Sequence, residues 1–468
     1  MANLLGVDFG TTSLKAILFN QKGERLKTTS VKYELLTKGE YIEFPAEEFF
    51  NVFMSAYNDI ATEFSIDAIA IDTQGETLIA VDEDGNALYN AIIWLDGRAE
   101  KQAREFEKAF GLEKIYNITG QAEVFAGYPL PKVIWLKENK PEIFNKTAKF
   151  LLLEDYIIYR LTGSFSASKS LYSSSLFMNV HTGEYEKQFL DYAGITEDKL
   201  PTLYESGVMV GEYKGAKIIT SALDQIAGAT GAGVIKEGVI SETTGTALAV
   251  VSVTETFPKY FDGLKVSAYY MKKGAYCLLM WSPTAGATLE WFKKNFAKDY
   301  SFNELNKLAE NVEMGAEGLI CIPHLQGTTM PENNPKVKGS FFGFDLKHTI
   351  GHFTRSIFEA VSYNIKEFLE YLGVDALEIR SIGGGANSKI WCEIKSAVLK
   401  KKVKTLVENE TACLGSAIFA GVGIGVFDSV NTATQKIVKI KREYFSYKDY
   451  SNLYLDYKKK EKQIINLF

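Results

Sequence analysis

Two aspartates and three glycine-bearing turns are the residues of this sequence that can do chemistry together. Asp8 ends the apolar run Leu4-Leu5-Gly6-Val7, and the chain turns at once through Gly10-Thr11-Thr12. Glycine lets backbone approach an anion closely, and two threonine hydroxyls add donors to the backbone N–H groups. An acid at the strand end is placed to hold a hydrated cation beside phosphates. Residues 238–253 repeat the plan around Thr243-Thr244-Gly245-Thr246. A third turn, Gly383-Gly384-Gly385-Ala386, follows Ile379-Arg380-Ser381-Ile382 and opens a helix with Trp391, Ile394, Val398 and Leu399 as its apolar positions. Strand, glycine turn and helix N-terminus make a phosphate- or nucleotide-approach arrangement. Neither a Walker loop nor GxGxxG occurs. The second acid, Asp224, follows Ala216–Thr220 and precedes a helix of alanine and glycine. The helix dipole there keeps a carboxylate ionised, and the helix points it into a cleft. Transfer of a phosphoryl group to an alcohol needs such an acid to accept the hydroxyl proton.

The elements that must hold these groups are legible as periodicities. Each Gly-Thr turn joins two β-rich runs, so two related halves are expected to face each other across a nucleotide. Pro45 with Glu47 and Glu48 starts a helix whose apolar face runs through Phe50, Phe53, Met54, Tyr57, Ile60, Ala61 and Phe64. Ile66–Asp72 and Leu78–Asp82 read as strands around the polar turn Thr73-Gln74-Gly75-Glu76-Thr77. Lys132–Lys137 and Glu154–Leu161 read as amphipathic helices, and Ile350 to Leu372 as a long one. Thr411 to Val422 reads as a small-residue helix suited to close packing, and the tail from Tyr444 as a surface helix. Lys236-Glu237-Gly238 marks the boundary, giving domains 1–235 and 236–468.

Composition excludes several classes. A chain of 468 residues is too long for one ordinary core, and 46% apolar with 24% charged residues is the balance of a folded globular protein. The net charge of −6 argues against a nucleic-acid partner. No apolar stretch approaches a membrane span, and no signal peptide is read at the amino end, so a cytoplasmic protein without a membrane partner is expected. Cys277, Cys321, Cys392 and Cys413 form no CxxC pair, and read as reduced core thiols. His348 and His352 have helical spacing but no acidic third ligand nearby, so no metal is expected there.

The chain resembles the FGGY carbohydrate kinases (xylulose, glycerol, gluconate and ribulose kinases) within the actin/hexokinase-like ATPase superfamily. Asp8-Phe9-Gly10-Thr11-Thr12-Ser13 resembles the family's first phosphate loop, and Thr244-Gly245-Thr246 its second. Asn90-Ala91-Ile92-Ile93-Trp94 with Asp96 and Arg98, and Asp155-Tyr156 with Arg160-Leu161-Thr162-Gly163, are similar to two further family segments. So are Gly286 with Trp291, Pro323 with Gly327 and Pro331, Gly383-Gly384-Gly385-Ala386 with Ser388 and Trp391, and Leu414-Gly415-Ser416-Ala417. The resemblance implies an α/β fold of two ribonuclease-H-like domains with a nucleotide and sugar cleft between them. It implies ATP and Mg²⁺ as cofactors, Asp224 as catalytic base and Asp8 toward the metal. Gly10, Thr11, Thr12, Lys15, Gly245, Thr246, Gly286, Glu290, Gly384, Gly385 and Ser388 would lie at the nucleotide, and Gln74, Glu76, Thr77, Trp94 and Tyr128 at the sugar.

The departures bear on substrate. Xylulose kinases typically read Gln-Met-His-Gly, and glycerol kinases Gln-Arg-Glu-Thr, where this chain has Gln74-Gly75-Glu76-Thr77. Gly127-Tyr128 before Pro131-Lys132, and Leu95-Asp96-Gly97-Arg98, look more like the xylulose-kinase branch. The acid usual after the Arg-Leu-Thr-Gly segment is Ser168 here. A ketopentose such as xylulose ranks first, a small polyol second and gluconate third, with a homodimer as one expected assembly. An actin- or chaperone-type ATPase is the rival of another class.

Overall fold

Leu4–Val7 and Ala16–Phe19 are unbroken apolar runs, which suits strands covered on both faces. In the computed structural model, which describes residues 2–331 and 333–467, they lie in β1 (Asn3–Phe9) and β2 (Ser13–Asn20), antiparallel with Phe9 opposite Leu14. β3 (Arg25–Lys32) extends the meander, and β4 (Ala68–Thr73) runs parallel to β1 on its other side, with Asp72 opposite Asp8. β5 (Met209–Tyr213) and β6 (Ala216–Ile219) complete the order β5-β6-β4-β1-β2-β3, with β6 parallel to β4.

A parallel pair needs a crossover, and the helix Ala46–Ala61 supplies it. Its Phe49, Phe53, Tyr57 and Ile60 pack into one core with Phe9, Leu14, Ile69 and Ile71. The helix Thr411–Gly423 covers β1 by close approach. A Cβ on Gly6 would stand 1.8 Å from the Cys413 carbonyl oxygen, and one on Gly415 1.9 Å from that of Ala227. Glycine at both positions lets this helix lie directly on β1 and on the helix Asp224–Gly231.

The chain forms two compact units. The first comprises the chain up to Ile235 together with Thr254–Cys277 and Glu410–Val438, and the second is Lys236–Val253, Leu278–Asn409 and the chain from Lys439 onward. A single boundary at 235/236 therefore misses two returns of the chain to the first unit. The glycine contacts that draw Thr411–Gly423 back are made only in the folded state.

The second unit repeats the plan. β7 (Val239–Thr244) is antiparallel to β8 (Leu248–Thr254) and parallel to β10 (Glu378–Ile382), with β9 (Ala275–Ser282), β11 (Lys402–Leu406) and β12 (Ile440–Tyr444) giving the order β9-β8-β7-β10-β11-β12. The order β3-β2-β1-β4-β6 of the first unit is matched by β9-β8-β7-β10-β11, the ribonuclease-H-like sheet twice over. The helix Lys389–Leu399 packs on Ile350–Leu372, with the Trp391 and Phe358 rings stacked 4.4 Å apart. The tail helix, Ser451–Ile465, is not purely a surface element: Tyr454, Tyr457, Glu461 and Ile464 are buried. Glu461 is held there by His324 Nε2 at 2.8 Å and by the Tyr457 hydroxyl at 2.8 Å.

Candidate active site

Three carboxylates of the first unit meet at the C-terminal ends of neighbouring parallel strands, where open α/β sheets bind ligands. Asp8 lies near the end of β1 and Asp72 sits beside it on β4. Asp224 opens the helix Asp224–Gly231, immediately after Leu223, which bridges to Thr73. Their electrostatics differ from the sequence expectation. Burial, reinforced by the charge of Asp8, pushes the Asp224 carboxyl up to about 7, against the Gln225 backbone N–H that donates to its Oδ1 at 2.6 Å. The helix start therefore does not keep Asp224 firmly ionised, because desolvation outweighs one turn of dipole. Asp8 is raised to about 6 by burial, and Asp72, more deeply buried beside Asp8, well above the usual carboxylate range.

Glu76 belongs to the same acid cluster. It occupies the left-handed region at φ 64°, where a side chain larger than glycine is uncommon. Burial and then the charge of Asp224 push its carboxyl up to about 8. Lys132, invisible as a site residue in a helix that reads as amphipathic, is fully buried and holds this turn. Its Nζ donates to the carbonyls of Glu76 at 2.8 Å, Ile92 at 3.2 Å and Ile93 at 2.9 Å. Burial lowers Lys132 to about 7.

The other residues expected at the sugar fall around Glu76. Both amide atoms of Gln74, and the Thr77 hydroxyl, are buried without a hydrogen-bond partner, which is rare unless a ligand or water supplies one. Trp94 Nε1 donates to Thr11 Oγ1 at 3.0 Å, tying its ring to the first Gly-Thr turn. The Tyr128 hydroxyl donates to Gln121 Oε1 at 2.7 Å, and Gln121 in turn donates to the Ser173 carbonyl at 2.7 Å. Tyr269, which sequence reasoning missed, joins this set: its hydroxyl is raised by burial and then by the charge of Glu76. At Gly75 a Cβ would meet Leu223 Cδ1 at 2.7 Å and Ser174 Oγ at 3.0 Å, so these side chains fill the space of a larger residue. Ser168 is fully buried, caps the helix Lys169–Tyr172 and donates to Glu154 Oε2 at 2.8 Å.

The glycines expected at the nucleotide divide by what surrounds them. In the second unit a Cβ on Gly286 would lie 2.4 Å from the Gly245 carbonyl oxygen, and one on Gly385 2.7 Å from Thr244 Cβ. These two glycines let the hairpin turn, the glycine turn and the helix Gly286–Phe296 (N–H of Gly286 to Gly245 O, 2.8 Å) sit together. Gly245 and Gly384 are open: a Cβ would meet protein only at 3.8 and 3.9 Å. Thr246 and Gly384 are exposed, so the surface that faces solvent is the one left free for a ligand. In the first unit Gly10 is similarly clear, and its carbonyl accepts from the Tyr33 hydroxyl.

Beneath the second-unit turns lies an ion pair that sequence reasoning missed. Lys395 Nζ donates to Glu242 Oε1 at 2.6 Å and to Thr244 Oγ1 at 2.9 Å, all three side chains being buried. The available signal was a charge inside an apolar strand and another inside an apolar helix. Three further residues expected at the nucleotide have these surroundings. Lys15 Nζ pairs with Glu410 Oε2 at 2.6 Å, Ser388 caps the helix Lys389–Leu399 and donates to Asn306 at 2.8 Å, and Glu290 is exposed on the helix Gly286–Phe296. His348 and His352 do have acids beside them, Asp345 at 3.0 Å and Glu317 at 3.5 Å, contrary to the linear reading. Even so, among the described residues no group of three His, Cys, Asp or Glu side chains is placed to hold a metal ion by itself.

The N-terminal domain of the FGGY family of carbohydrate kinases matches residues 3–233, and its C-terminal domain matches residues 241–424. The chain belongs to this family. This kinase is 30% identical to a xylulose kinase of Bacillus subtilis (strain 168), over 94% of its own chain and 92% of that protein. It is 28% identical to a gluconokinase of Bacillus licheniformis, over 93% of its chain and 90% of the relative. Its fold matches the crystal structure of a ligand-bound xylulose kinase from Lactobacillus acidophilus, with a TM-score of 0.89 at 22% identity, covering 100% of this chain and 98% of that one. The kinase is thus an ATP-dependent sugar phosphotransferase, and the actin- or chaperone-type reading falls away. No helix among the described residues is long and apolar enough to cross a membrane.

Proposed function

We propose that this kinase phosphorylates a ketopentose such as xylulose, with Asp224 as the general base. The observation that carries the role of Asp224 is its position beside Asp8 and Glu76 with a carboxyl pushed up to about 7. A base whose pKa lies near neutrality combines a useful ionised fraction with real affinity for the hydroxyl proton. Asp224 takes that proton as the sugar oxygen bonds to the γ-phosphorus and ADP leaves. Glu76, raised to about 8, is a neutral carboxylic acid at pH 7, so it can donate one hydrogen bond to a sugar oxygen and accept another. Trp94 offers an aromatic face to the apolar side of the sugar, and Gln74 and Thr77 offer unpaired donors and acceptors. Asp8, raised only to about 6, and the ionised fraction of Asp224 carry the negative charge that opposes an acid sugar.

Mg²⁺ fits this acid cluster: buried Asp72 Oδ1 receives no donor, and Asp8 and Asp72 face each other without a bridging cation from the protein. Asp8 would hold it together with water and nucleotide oxygens, as Mg²⁺ usually requires. When bound, it would screen the phosphate charge that builds up during transfer.

The names of the xylulose kinase relatives support a ketopentose, while Glu76-Thr77 is the feature shared with the polyol-binding segment of glycerol kinases. Turnover of ATP with xylulose, other ketopentoses, glycerol and gluconate, one at a time, tests the reading. The highest kcat/KM is expected with a ketopentose; a gluconate value above that of every neutral sugar overturns it.

A further inference from the structure

We infer that Asp72 is a second carboxylate of the magnesium site, a positioning residue that holds a water of the cation bound at Asp8. The inference rests on the magnesium reading above and adds a residue to it. Asp72 is completely buried at the end of β4, in register with Asp8, so the two carboxylates leave the same face of the sheet. Its Oδ2 is fixed from behind, accepting from Ser416 Oγ at 2.6 Å, and Ser416 shares a further bond of 2.6 Å with Ser221 Oγ. Both serines are themselves fully buried, one on the helix Thr411–Gly423 and one just before Asp224. Oδ1, by contrast, has no partner but the Asp8 carboxyl, with which it can only share a proton. What faces it is the carboxyl of Asp8 and, further off, the charge of Asp224.

A buried carboxylate normally gains a donor for each oxygen, because an unpaired one costs its full desolvation. Here one oxygen accepts from Ser416, which is itself bonded to Ser221, and the other is aimed at a second acid. Lys15, the cation whose charge acts on Asp8, is already paired with Glu410. A hydrated divalent cation on Asp8 supplies what is missing: positive charge between the acids, and a bound water whose hydrogen Asp72 Oδ1 accepts. Among the described residues no three side chains form a cage for a metal ion, and Mg²⁺ usually keeps several waters, which suits a water-mediated role for Asp72.

The test uses Mn²⁺ as the probe, added to the full-length kinase with ADP, and reads free Mn²⁺ by electron paramagnetic resonance. Asp72→Asn should weaken Mn²⁺ binding about 10- to 100-fold, the usual effect of losing an outer partner of a metal site. ADP affinity in EDTA and KM for the sugar should stay within about twofold, and Asp72→Glu should recover part of the metal affinity. Mn²⁺ affinity in Asp72→Asn within twofold of the parent overturns the inference. Asp8→Asn is measured alongside. If it abolishes Mn²⁺ binding while Asp72→Asn does not, only the role of Asp72 fails; if neither variant loses Mn²⁺, the magnesium reading itself fails. Should Asp72→Asn not fold, Ser416→Ala decides, since it keeps the carboxylate and frees Oδ2: several-fold weaker Mn²⁺ binding supports the role, and unchanged binding overturns it.

Discussion

At the scale of single residues, burial raises the acids of the candidate site toward neutral pH. Asp224→Asn keeps the size of the side chain and removes its basicity, so kcat should fall by roughly two to four orders of magnitude with ATP affinity little changed. A folded Asn variant with near-parental turnover would remove Asp224 from the chemistry. The pH profile carries the same logic. The Asp224 base is lost as it protonates, so kcat/KM should fall below neutrality, with the bend at or below about 7 because a cation beside Asp8 lowers the carboxyl. Stability runs the opposite way. Asp8, Asp224 and Glu76 are raised to about 6, 7 and 8, so the folded state binds more protons than the unfolded chain. Their contribution is fully present below the unfolded carboxylate values and is lost as pH rises through the folded ones. The metal-free kinase should therefore lose stability as pH rises from about 4 to about 8. Glu76→Gln should flatten that fall in urea midpoints, and an unchanged slope would mean that Glu76 stays ionised.

At the scale of elements, the two Gly-Thr turns show both what a linear reading reaches and where it stops. Each hairpin is local: an apolar strand, a turn chemistry and a second strand, all within 20 residues, and both strand pairs form as read. The neighbours of those turns are not local. Asp72 stands opposite Asp8 only through a parallel pairing across the helix Ala46–Ala61, and nothing in Ala68–Thr73 marks its acid as facing another. Lys132 looks like the polar face of an ordinary helix and Lys395 is a lone charge among apolar helix positions, and tertiary packing buries both. The same packing separates glycines that sequence treats alike. A Cβ at Gly245 has room in the fold, so Gly245→Val should fold normally and lose ATP affinity, with sugar binding intact. A Cβ at Gly286 would collide with the Gly245 carbonyl oxygen at 2.4 Å, so Gly286→Val should destabilise the protein by about 2 kcal/mol or more. Calorimetry on both variants, beside urea unfolding, separates the two effects; equal loss of stability would refute the distinction.

At the scale of the whole molecule, one sheet plan is used twice with different residues at corresponding strand ends. In the first unit the ends of β1 and β4 carry Asp8 and Asp72. In the second, the positions that match Asp8 and Asp72 carry Thr243 opposite Ile382, and the acid one residue earlier, Glu242, is paired with buried Lys395. The first copy of the sheet thus gathers acids at its strand ends, and the second puts a neutral pair there and uses its nearby acid to hold a turn. Selectivity for the acceptor should accordingly reside in the first unit, and Glu76 is where it can be tested. A buried group that pairs with a substrate hydroxyl rejects analogues lacking it, because the group is then left unpaired. Glu76→Ala should raise KM for the preferred sugar by tenfold or more, roughly the loss of one buried hydrogen bond, and flatten the preference across ketopentoses, polyols and gluconate. Because burial raises the Glu76 carboxyl to about 8, its removal should not by itself favour gluconate, whose charge still meets that of Asp8. ATP consumption in the parent should be stimulated by the preferred sugar, and Glu76→Ala should need more sugar to reach the same stimulation. If the variant keeps the parental order of kcat/KM across the panel, acceptor choice is made by residues other than Glu76.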